Sequence, residues 1–300
     1  MKLLVCDPLD PSAVAAMREG GVDVVVRDDV TPEELEAIAP EYEVLVIRSR
    51  TKVRAPLIDK ATNLKAVIRA GVGLDNVDVD YAESKGVEVR NTPAASSNAV
   101  AELTVGYLFA LARPIVQATL SMKDGKWEKK KLKGTELAGK TLGLVGFGRI
   151  GRLVGEKASA LGMEVLFHRR TRTEVDFATQ VPLAELIARS DYISLHVPHT
   201  AETHHVIGAL ELAAMKDGVR LVNCGRGGTI DEEALFHAIS SGKVVGAALD
   251  VYEDEAVERG QKLMQLPQVI GSPHIGAGTS EAGKRVGAET ARIAIEIANR

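Results

Sequence analysis

The chain has 300 residues, of which 45% are hydrophobic and 26% are charged, and its formal net charge is −4 at pH 7. This length predicts about two globular domains, and the charge gives no general attraction to nucleic acid or to an anionic membrane. Two cysteines, Cys6 and Cys224, are too few for a disulfide framework and favour a reducing compartment. Because the sequence has no run of about 20 apolar residues, we expect no membrane span and a cytoplasmic location.

The first third of the chain alternates short apolar runs with amphipathic segments, which is the pattern of repeated βαβ units. The apolar runs predict buried parallel strands over residues 3–6, 23–26, 43–47 and 65–68. The amphipathic segments predict the helices between them, over residues 11–18, 31–38, 56–60 and 79–85. The second helix has a predicted start at Thr31-Pro32-Glu33-Glu34, which supplies a capping residue, a proline for the first turn and acids near the helix N-terminus.

One long helix separates this series from the rest of the chain. It is predicted to begin near Asn98 and to end before Pro114, because leucine and alanine recur between them at helical spacing. The basic run that follows, over residues 123–131, is interpreted as either a solvated loop or an anion site. We favour the solvated loop, since charge runs of this kind usually face water.

A second βαβ series begins at Thr141. Its later strands are predicted over residues 164–167, 192–196, 220–223, 244–249 and 269–270. A last helix over residues 280–298 is expected to pack on the first domain. The predicted fold class is therefore α/β with parallel sheets, divided into a substrate-binding domain of residues 1–95 plus 278–300 and a dinucleotide-binding domain of residues 96–277.

The most informative motif is Gly146-Phe147-Gly148-Arg149-Ile150-Gly151, which stands between an apolar run and a helical pattern. In this context of strand, turn and helix, the three glycines predict a dinucleotide site rather than a structural turn alone. The first glycine allows the tight turn, the second lets backbone approach a pyrophosphate, and the third lets the helix pack close to the strand. The start of the helix then offers free N–H groups to the phosphates.

The second strand of this domain bears on which cofactor is bound. NAD sites usually carry an acid about 20 residues after the glycines, where it holds the ribose hydroxyls. Here the strand ends instead in His168-Arg169-Arg170. Because an arginine at this place accommodates a 2′-phosphate, the sequence favours NADP(H) over NAD(H). The alternative is a basic surface turn, with NAD bound less selectively.

Three later segments place reactive side chains at the ends of strands, over residues 223–228, 248–255 and 271–276. Open α/β sheets bind ligands at these strand ends, so Arg226 in the first segment is expected to clamp a carboxylate through two hydrogen bonds. His274 in the third segment can give or take a hydroxyl proton near neutral pH, and a carboxylate beside it would raise its pKa and orient it. With a nicotinamide as the hydride carrier, this set predicts reduction and oxidation at a carbonyl carbon.

These motifs resemble those of the D-isomer-specific 2-hydroxyacid dehydrogenase family, and the resemblance covers nearly the whole chain. It implies two Rossmann- or flavodoxin-like domains with an active-site cleft between them. It assigns catalysis to Arg226, Glu255 and His274, with a 2-hydroxy or 2-oxo acid as the small-molecule substrate. It also implies a homodimer built largely through the dinucleotide-binding domain.

The resemblance extends the cofactor site beyond the glycine motif. It implies that Asp250 lies near the nicotinamide amide and that the loop of Val197-Pro198 passes beside the nicotinamide. The remaining cofactor positions that it implies are Val72, Cys224, Gly225 and Gly276.

Within the family, four stretches resemble most the members that oxidise 3-phosphoglycerate: residues 46–51, 69–77, 91–93 and 121–137. Arg48-Ser49-Arg50 lies just past a predicted strand, where its arginines can bind a phosphate. Gly71-Val72-Gly73 presents backbone N–H groups that can hold a carboxylate. The main functional expectation is therefore oxidation of 3-phosphoglycerate at the entry to serine biosynthesis.

Two alternatives remain open. Since Arg169 replaces the usual acid, the chain is also compatible with an NADPH-dependent glyoxylate or hydroxypyruvate reductase. An NAD(H)-sensing corepressor-like protein is the alternative from another class, although no tail for a partner is evident in the sequence. We expect no regulatory domain after Arg300. We also expect no metal site, because no acid or cysteine is arranged near the histidines at positions 196, 199, 204 and 205.

Overall fold

The computed structural model describes residues 1–254 and 262–300. Within these residues the chain forms two compact units. The first unit consists of Met1–Ser97 and Ala277–Arg300, and the second consists of Asn98–Gly276. Each unit is built on one parallel sheet, so the predicted α/β class is confirmed.

The sheet of the first unit has five strands in the described residues: β1 (Lys2–Val5), β2 (Asp23–Val26), β3 (Val44–Ile47), β4 (Ala66–Arg69) and β5 (Glu88–Asn91). Their order is β2-β1-β3-β4-β5, and each neighbouring pair is parallel. Every residue of β3 is buried, as its apolar run predicted. The sequence analysis missed β5, because this edge strand is half-buried and mostly polar and so lacks an apolar run.

Four helices accompany these strands: α1 (Pro11–Glu19), α2 (Pro32–Ile38), α3 (Ala55–Lys60) and α4 (Val79–Ser84). The predicted start of α2 is confirmed as a capping box. The Glu34 N–H donates to the Thr31 hydroxyl at 3.2 Å, and the Thr31 N–H donates to the Glu34 carboxylate at 3.1 Å. The pair thus satisfies two backbone donors that a helix start leaves without partners.

Two helices follow β5, namely α5 (Ser97–Ala112) and α6 (Ile115–Lys123). The first is the predicted long helix. Pro114 is the N-cap of the second, and the pair is bent by 67° at this break. Within residues 1–254 and 262–300, no single helix is long and apolar enough to cross a membrane, and α5 and α6 reach that composition only as a bent pair.

The sheet of the second unit has seven strands in the described residues: β6 (Thr141–Val145), β7 (Glu164–His168), β8 (Thr179–Gln180), β9 (Tyr192–Leu195), β10 (Val219–Asn223), β11 (Val244–Leu249) and β12 (Val269–Gly271). Their order is β12-β11-β10-β9-β6-β7-β8. The chain proceeds from β6 to β7 and β8 on one side and then returns to β9 on the other. The loops after β6 and β9 therefore lie side by side, where open parallel sheets bind ligands.

The helices of the second series are α7 (Arg149–Ala160), α8 (Leu183–Arg189), α9 (Ala209–Ala214) and α10 (Glu232–Ser240), and the chain ends with α11 (Ser280–Ala298). The last of these belongs to the first unit and packs on α1. A Cβ on Gly287 would lie only 3.0 Å from the Ala13 Cβ, so the two helices approach closely at this glycine.

Each sheet is covered by apolar side chains on both faces. Leu144 and Val145 are neighbours in β6 but belong to different core clusters, and the same holds for Leu3 and Leu4 in β1. Successive residues of a strand point to opposite faces, so a strand with both faces covered is apolar throughout. This is why the sequence shows continuous apolar runs at these strands rather than alternation.

Candidate active site

The turn between β6 and α7 is built on close contacts that only glycine permits. Gly146 has a φ of 96°, and a Cβ there would lie 2.7 Å from the His196 carbonyl oxygen. A Cβ on Gly151 would lie 2.3 Å from the Gly146 carbonyl oxygen, so the helix approaches the turn only without a side chain. Gly148 is the N-cap of α7, and a Cβ there would meet no described atom within 4 Å. Internal packing does not require this second glycine, which is consistent with the predicted approach of a pyrophosphate.

The loop after β9 forms the neighbouring wall of this turn. The His196 N–H donates to the Val145 carbonyl at 2.8 Å, and its ring Nε2 lies 2.9 Å from Ser194 Oγ. The other ring nitrogen is buried without a hydrogen-bond partner in the described part of the chain, and burial lowers the pKa of His196 to about 4. This histidine is therefore neutral at pH 7. Val197 borders the glycine turn next to it, and the exposed Pro198 follows.

The basic turn after β7 lies against the glycine turn. The Arg169 guanidinium donates to the Phe147 carbonyl at 3.3 Å, which brings this side chain to the motif. His168 is held by a contact of 3.2 Å between its Nδ1 and the Val181 carbonyl, whereas Arg170 is exposed. A cation thus stands where the sequence predicted the 2′-phosphate of a cofactor.

A residue that the sequence analysis missed holds this basic turn. Gln180 Nε2 donates to the Arg169 carbonyl at 2.9 Å and to the Thr171 carbonyl at 3.2 Å. Gln180 Oε1 accepts from the Thr173 N–H at 2.8 Å. One amide therefore fixes three backbone groups of the turn. No sequence signal marks it, because β8 has only two residues.

The arginine-containing loop after β10 is held by its first residue. Asn223 Oδ1 accepts from the Gly225 N–H at 3.0 Å, and Asn223 Nδ2 donates to the Arg226 carbonyl at 3.0 Å. The Thr229 hydroxyl also donates to the Arg226 carbonyl, at 2.7 Å. A Cβ on Gly227 would lie 1.8 Å from the carbonyl oxygen of Tyr252, so the loop packs against the chain after β11 only at a glycine.

The side chains within this loop have different environments. The Arg226 guanidinium is half-buried and donates to the Gly225 carbonyl at 2.7 Å. Cys224 is buried, and this burial raises the pKa of its thiol to about 12, although a hydrogen bond with Thr104 opposes the shift. The thiol is therefore protonated at neutral pH and does not act as a nucleophile.

The histidine-containing loop after β12 is anchored on Asp250. This carboxylate is 1% exposed and accepts from the Ile275 N–H at 2.8 Å and from the Gly276 N–H at 2.7 Å. A Cβ on Gly276 would lie 2.9 Å from the same carboxylate, so a glycine is needed for the contact. His274 is exposed and has a φ of 52°, a left-handed conformation that few residues other than glycine adopt.

The predicted catalytic Glu255 lies outside the described residues, but the chain that leads to it is anchored. Glu253 exchanges two hydrogen bonds with the first residue of α10: its N–H donates to the Glu232 carboxylate at 2.7 Å, and its carboxylate accepts from the Glu232 N–H at 3.3 Å. The Glu253 carboxylate also lies 2.9 Å from His205 Nε2. The pKa of the Glu232 carboxyl is raised, and burial is the largest cause of this shift.

The other histidines after β9 form a small cluster. His199 Nε2 lies 3.1 Å from His204 Nδ1, and the rings of His204 and His205 stack with centroids 3.9 Å apart. No group of three side chains suited to hold a metal ion occurs in residues 1–254 and 262–300.

The two predicted substrate arginines of the first unit have different surroundings. Arg50 donates from Nε to the buried Asp7 carboxylate at 3.0 Å, and its other nitrogens donate to the carbonyls of Cys6, Asp28 and Val30. Each guanidinium nitrogen of Arg50 thus has an internal acceptor, and the residue braces its own loop. Its side chain is nevertheless 49% exposed, and the phosphate contact of Arg50 stays a prediction. Arg48 makes one side-chain hydrogen bond, to the Pro8 carbonyl at 3.1 Å.

The glycine loop of the first unit lies under an arginine that the sequence analysis did not select. A Cβ on Gly71 would lie 1.4 Å from Arg69 Nη1, so the guanidinium occupies the space that a side chain would need. Asn91 Nδ2 donates to the Val72 carbonyl at 2.6 Å and holds the middle of the loop. The sequence feature that could have identified Arg69 is its position as the last residue of the otherwise apolar strand β4.

Comparison with known families gives a match over residues 105–276 to a family described as "D-isomer specific 2-hydroxyacid dehydrogenase, NAD binding domain". The chain is 50% identical to a hydroxypyruvate reductase of Thermotoga maritima over 288 residues, which cover 95% of this chain and 94% of that protein. It is 48% identical to a D-3-phosphoglycerate dehydrogenase of Methanocaldococcus jannaschii over 292 residues, which cover 96% of this chain. The match spans only 55% of the length of that second relative.

The fold is also similar to that of a solved structure. The D-lactate dehydrogenase of Aquifex aeolicus, crystallised with NAD and lactic acid, matches with a TM-score of 0.87 and 30% identity. The match covers 100% of this chain and 96% of that structure.

Proposed function

Since this chain belongs to the D-isomer-specific 2-hydroxyacid dehydrogenase family, we propose that it transfers a hydride between a nicotinamide cofactor and the C2 atom of a D-2-hydroxy acid or its 2-oxo acid. The observation that carries the proposal is the arrangement at one sheet edge. The glycine motif of residues 146–151, the loop of Arg226 and the loop of His274 all follow strands of a single parallel sheet, and each is held by specific contacts. Ligands of such sheets bind at this edge.

Each catalytic residue has a separate role in the proposed reaction. The cofactor, when bound at the glycine motif, supplies or accepts the hydride. Arg226 holds the substrate carboxylate through paired hydrogen bonds and polarises the carbonyl. His274 gives the proton to the carbonyl oxygen during reduction and takes it back during oxidation. Glu255 orients the imidazole ring of that histidine through a hydrogen bond.

We propose NADP(H) as the preferred cofactor. Support comes from the position of Arg169, whose guanidinium lies 3.3 Å from the Phe147 carbonyl of the glycine motif. The end of β7 offers no acid that would hold ribose hydroxyls or repel a 2′-phosphate. The alternative cofactor is NAD(H), because the matched family domain is named as NAD-binding and the Aquifex aeolicus enzyme was crystallised with NAD.

For the substrate we propose 3-phosphoglycerate, oxidised to 3-phosphohydroxypyruvate. Arg48 and Arg50 on the segment after β3, and Arg69 at the end of the neighbouring β4, are cations of the first unit that support a phosphate contact. Arg48 is the first of these to test, because Arg50 also donates to the buried Asp7 carboxylate. Hydroxypyruvate or glyoxylate is the second candidate, favoured by the hydroxypyruvate reductase that this chain matches over nearly the full length of both proteins.

Initial rates distinguish these substrates. The purified chain would be assayed with 3-phosphohydroxypyruvate, hydroxypyruvate and glyoxylate, each with NADH and with NADPH. A charge-assisted contact to the phosphate predicts kcat/KM about tenfold or more higher for 3-phosphohydroxypyruvate than for hydroxypyruvate. Equal or higher kcat/KM values for hydroxypyruvate or glyoxylate would instead support a hydroxypyruvate or glyoxylate reductase. Faster reaction with NADH would refute the cofactor proposal and leave the reaction type unchanged.

We also propose that the chain forms a homodimer through α5 and α6 in the cytoplasm. The segment over residues 109–127 exposes six large apolar side chains, including Leu120 at 57% and Trp127 at 79%. Exposed apolar surface of this kind is typical of an interface. Light scattering should give twice the mass of one chain for the wild type and a single-chain mass for Leu120→Glu. The matched control is Leu210→Glu, because Leu210 is also an exposed leucine, at 82%, but lies on α9. A wild-type mass of one chain would refute the dimer.

A further inference from the structure

A chain of three hydrogen-bonded side chains joins α5 to the loop that carries His274. Tyr107 lies on α5, and its hydroxyl hydrogen-bonds with Ser272 Oγ. The Ser272 hydroxyl donates to the Asp250 carboxylate. Because Ser272 uses its proton on the carboxylate, Tyr107 is the donor and Ser272 Oγ the acceptor in the first bond. The three groups therefore form one continuous donor–acceptor chain.

This chain is buried, so its bonds determine the position of the loop. Tyr107 is 7% exposed and Asp250 is 1% exposed. A hydroxyl or carboxylate in such surroundings has little access to water, and leaving one without a partner is unfavourable. In the low dielectric of a protein interior, linked hydrogen bonds also strengthen one another. These two hydrogen bonds hold the Ser272 hydroxyl between α5 and the Asp250 carboxylate.

The loop has anchors on both sides of His274. Before it, the Ser272 N–H donates to the Leu249 carbonyl at 3.0 Å. After it, the N–H groups of Ile275 and Gly276 donate to the Asp250 carboxylate. The left-handed φ of 52° at His274 is a conformation that surrounding contacts must hold. The Tyr107–Ser272 hydrogen bond ties these anchors to the long helix α5.

We propose that Tyr107 is a positioning residue for His274, acting through the Ser272 hydroxyl and the Asp250 carboxylate. The inference rests on the proposed function only in the catalytic role given to His274. Proton transfer requires the imidazole within hydrogen-bond reach of the substrate oxygen, so a small displacement of this loop slows the chemical step more than it weakens binding. The effect of Tyr107 should therefore appear in kcat rather than in the KM for the cofactor.

The test compares two tyrosine variants that each lose one buried hydroxyl. Tyr107→Phe removes the donor to Ser272 and keeps the ring in the core. Tyr192→Phe is the matched control, because Tyr192 is fully buried in the same apolar cluster and its hydroxyl has no hydrogen-bond partner among the described residues. Loss of one hydrogen bond predicts a fall in kcat of about threefold to tenfold for Tyr107→Phe, with the cofactor KM unchanged within about twofold. Tyr192→Phe should keep the wild-type kcat. Wild-type kcat in Tyr107→Phe would overturn the proposal.

A double-mutant cycle tests whether the effect passes through Ser272. If Tyr107 acts only on this hydroxyl, the variant Tyr107→Phe/Ser272→Ala should be no slower than Ser272→Ala alone. Multiplication of the two single effects would show that the residues act independently and would refute the proposed route. Each variant is assayed well below its thermal midpoint, so that a loss of stability does not lower the measured rate.

A second readout does not depend on turnover. The imidazole C–H resonances of His274 can be assigned in NMR spectra by their loss in His274→Gln. They should shift in Tyr107→Phe and stay in place in Tyr192→Phe. Unchanged His274 resonances in Tyr107→Phe would overturn the proposal even for an active enzyme. Absence of wild-type turnover with every 2-oxo acid would instead refute the proposed function, and the resonance comparison would still decide whether Tyr107 positions the loop.

Discussion

Replacing the third glycine of the motif should separate the glycine turn from α7. In Gly151→Ala the new Cβ would lie 2.3 Å from the Gly146 carbonyl oxygen. This distance is about 1 Å shorter than an ordinary carbon–oxygen contact of roughly 3.3 Å, and the obstructing atom belongs to the backbone. The helix must therefore move away from the turn by about that amount.

The displacement has a cost in stability and in cofactor binding. Overpacking of a well-packed site costs about 1–3 kcal/mol, which corresponds to a fall in the thermal midpoint of about 2–12 °C for a unit of this size. Because the moving N–H groups are those expected to bind the pyrophosphate, the cofactor KM should rise about tenfold or more.

The control is the neighbouring glycine. A Cβ in Gly148→Ala would meet no described atom within 4 Å, so the thermal midpoint without cofactor should stay at the wild-type value. The cofactor KM should nevertheless rise, since backbone at this position is expected to approach the phosphates. Differential scanning fluorimetry and initial rates measure both quantities. A Gly151→Ala variant with wild-type midpoint and wild-type cofactor KM would refute the packing argument.

Three further predictions follow from the remaining contacts. Gln180→Ala should release the turn that carries Arg169. The kcat/KM for NADPH divided by that for NADH should then fall by about threefold to tenfold, and an unchanged ratio would contradict the positioning role of Gln180. Arg50→Ala should lower the thermal midpoint, because the buried Asp7 carboxylate loses its ion-pair partner and keeps only its hydrogen bonds from the Arg48 N–H and from Thr51. The same variant should leave the substrate KM unchanged, whereas Arg48→Ala should raise the KM for 3-phosphohydroxypyruvate. The reverse pattern would assign the phosphate contact to Arg50. His196 has a pKa of about 4 in the folded chain against an ordinary 6.5, so the unfolded chain binds the proton more strongly. The free energy of unfolding therefore falls by up to about 3 kcal/mol as the pH is lowered from 6.5 to 4. His196→Gln should therefore lose less stability than wild type between pH 7 and pH 5 in urea titrations, and equal losses would contradict the burial of this imidazole.

The fold could be predicted from the sequence wherever burial leaves an apolar run. Strands with both faces covered, such as β3 and β11, have nearly continuous apolar sequences, and the strand over residues 244–249 was predicted with its observed bounds. The edge strands β5 and β8 were missed, since an edge strand is short, half-exposed and compatible with polar residues. The break at Pro114 was predicted, but the continuation as α6 was not.

The candidate site was predictable to the extent that its residues belong to motifs. The glycine turn and the loops of Arg226 and His274 could be located because glycines and reactive side chains follow apolar strands. The supporting residues could not be located. Tyr107 and Gln180 act through contacts with residues 165 and 11 positions away in the sequence. Asn223 lies in a predicted segment, but no pattern in the sequence shows which backbone groups its amide holds. The structural role of Arg50 could not be predicted for the same reason, because its acceptors come from loops about 20 and 44 residues away.

Transfer of a labelled hydride tests the central claim most directly. The purified chain would reduce 3-phosphohydroxypyruvate or hydroxypyruvate with NADPH deuterated at C4 of the nicotinamide, and NMR and chiral analysis would locate the deuterium in the product. We predict deuterium at C2 of the D-2-hydroxy acid that the wild type forms, and loss of this product in His274→Gln. Absence of deuterium at C2, an L product, or undiminished transfer by His274→Gln would contradict it.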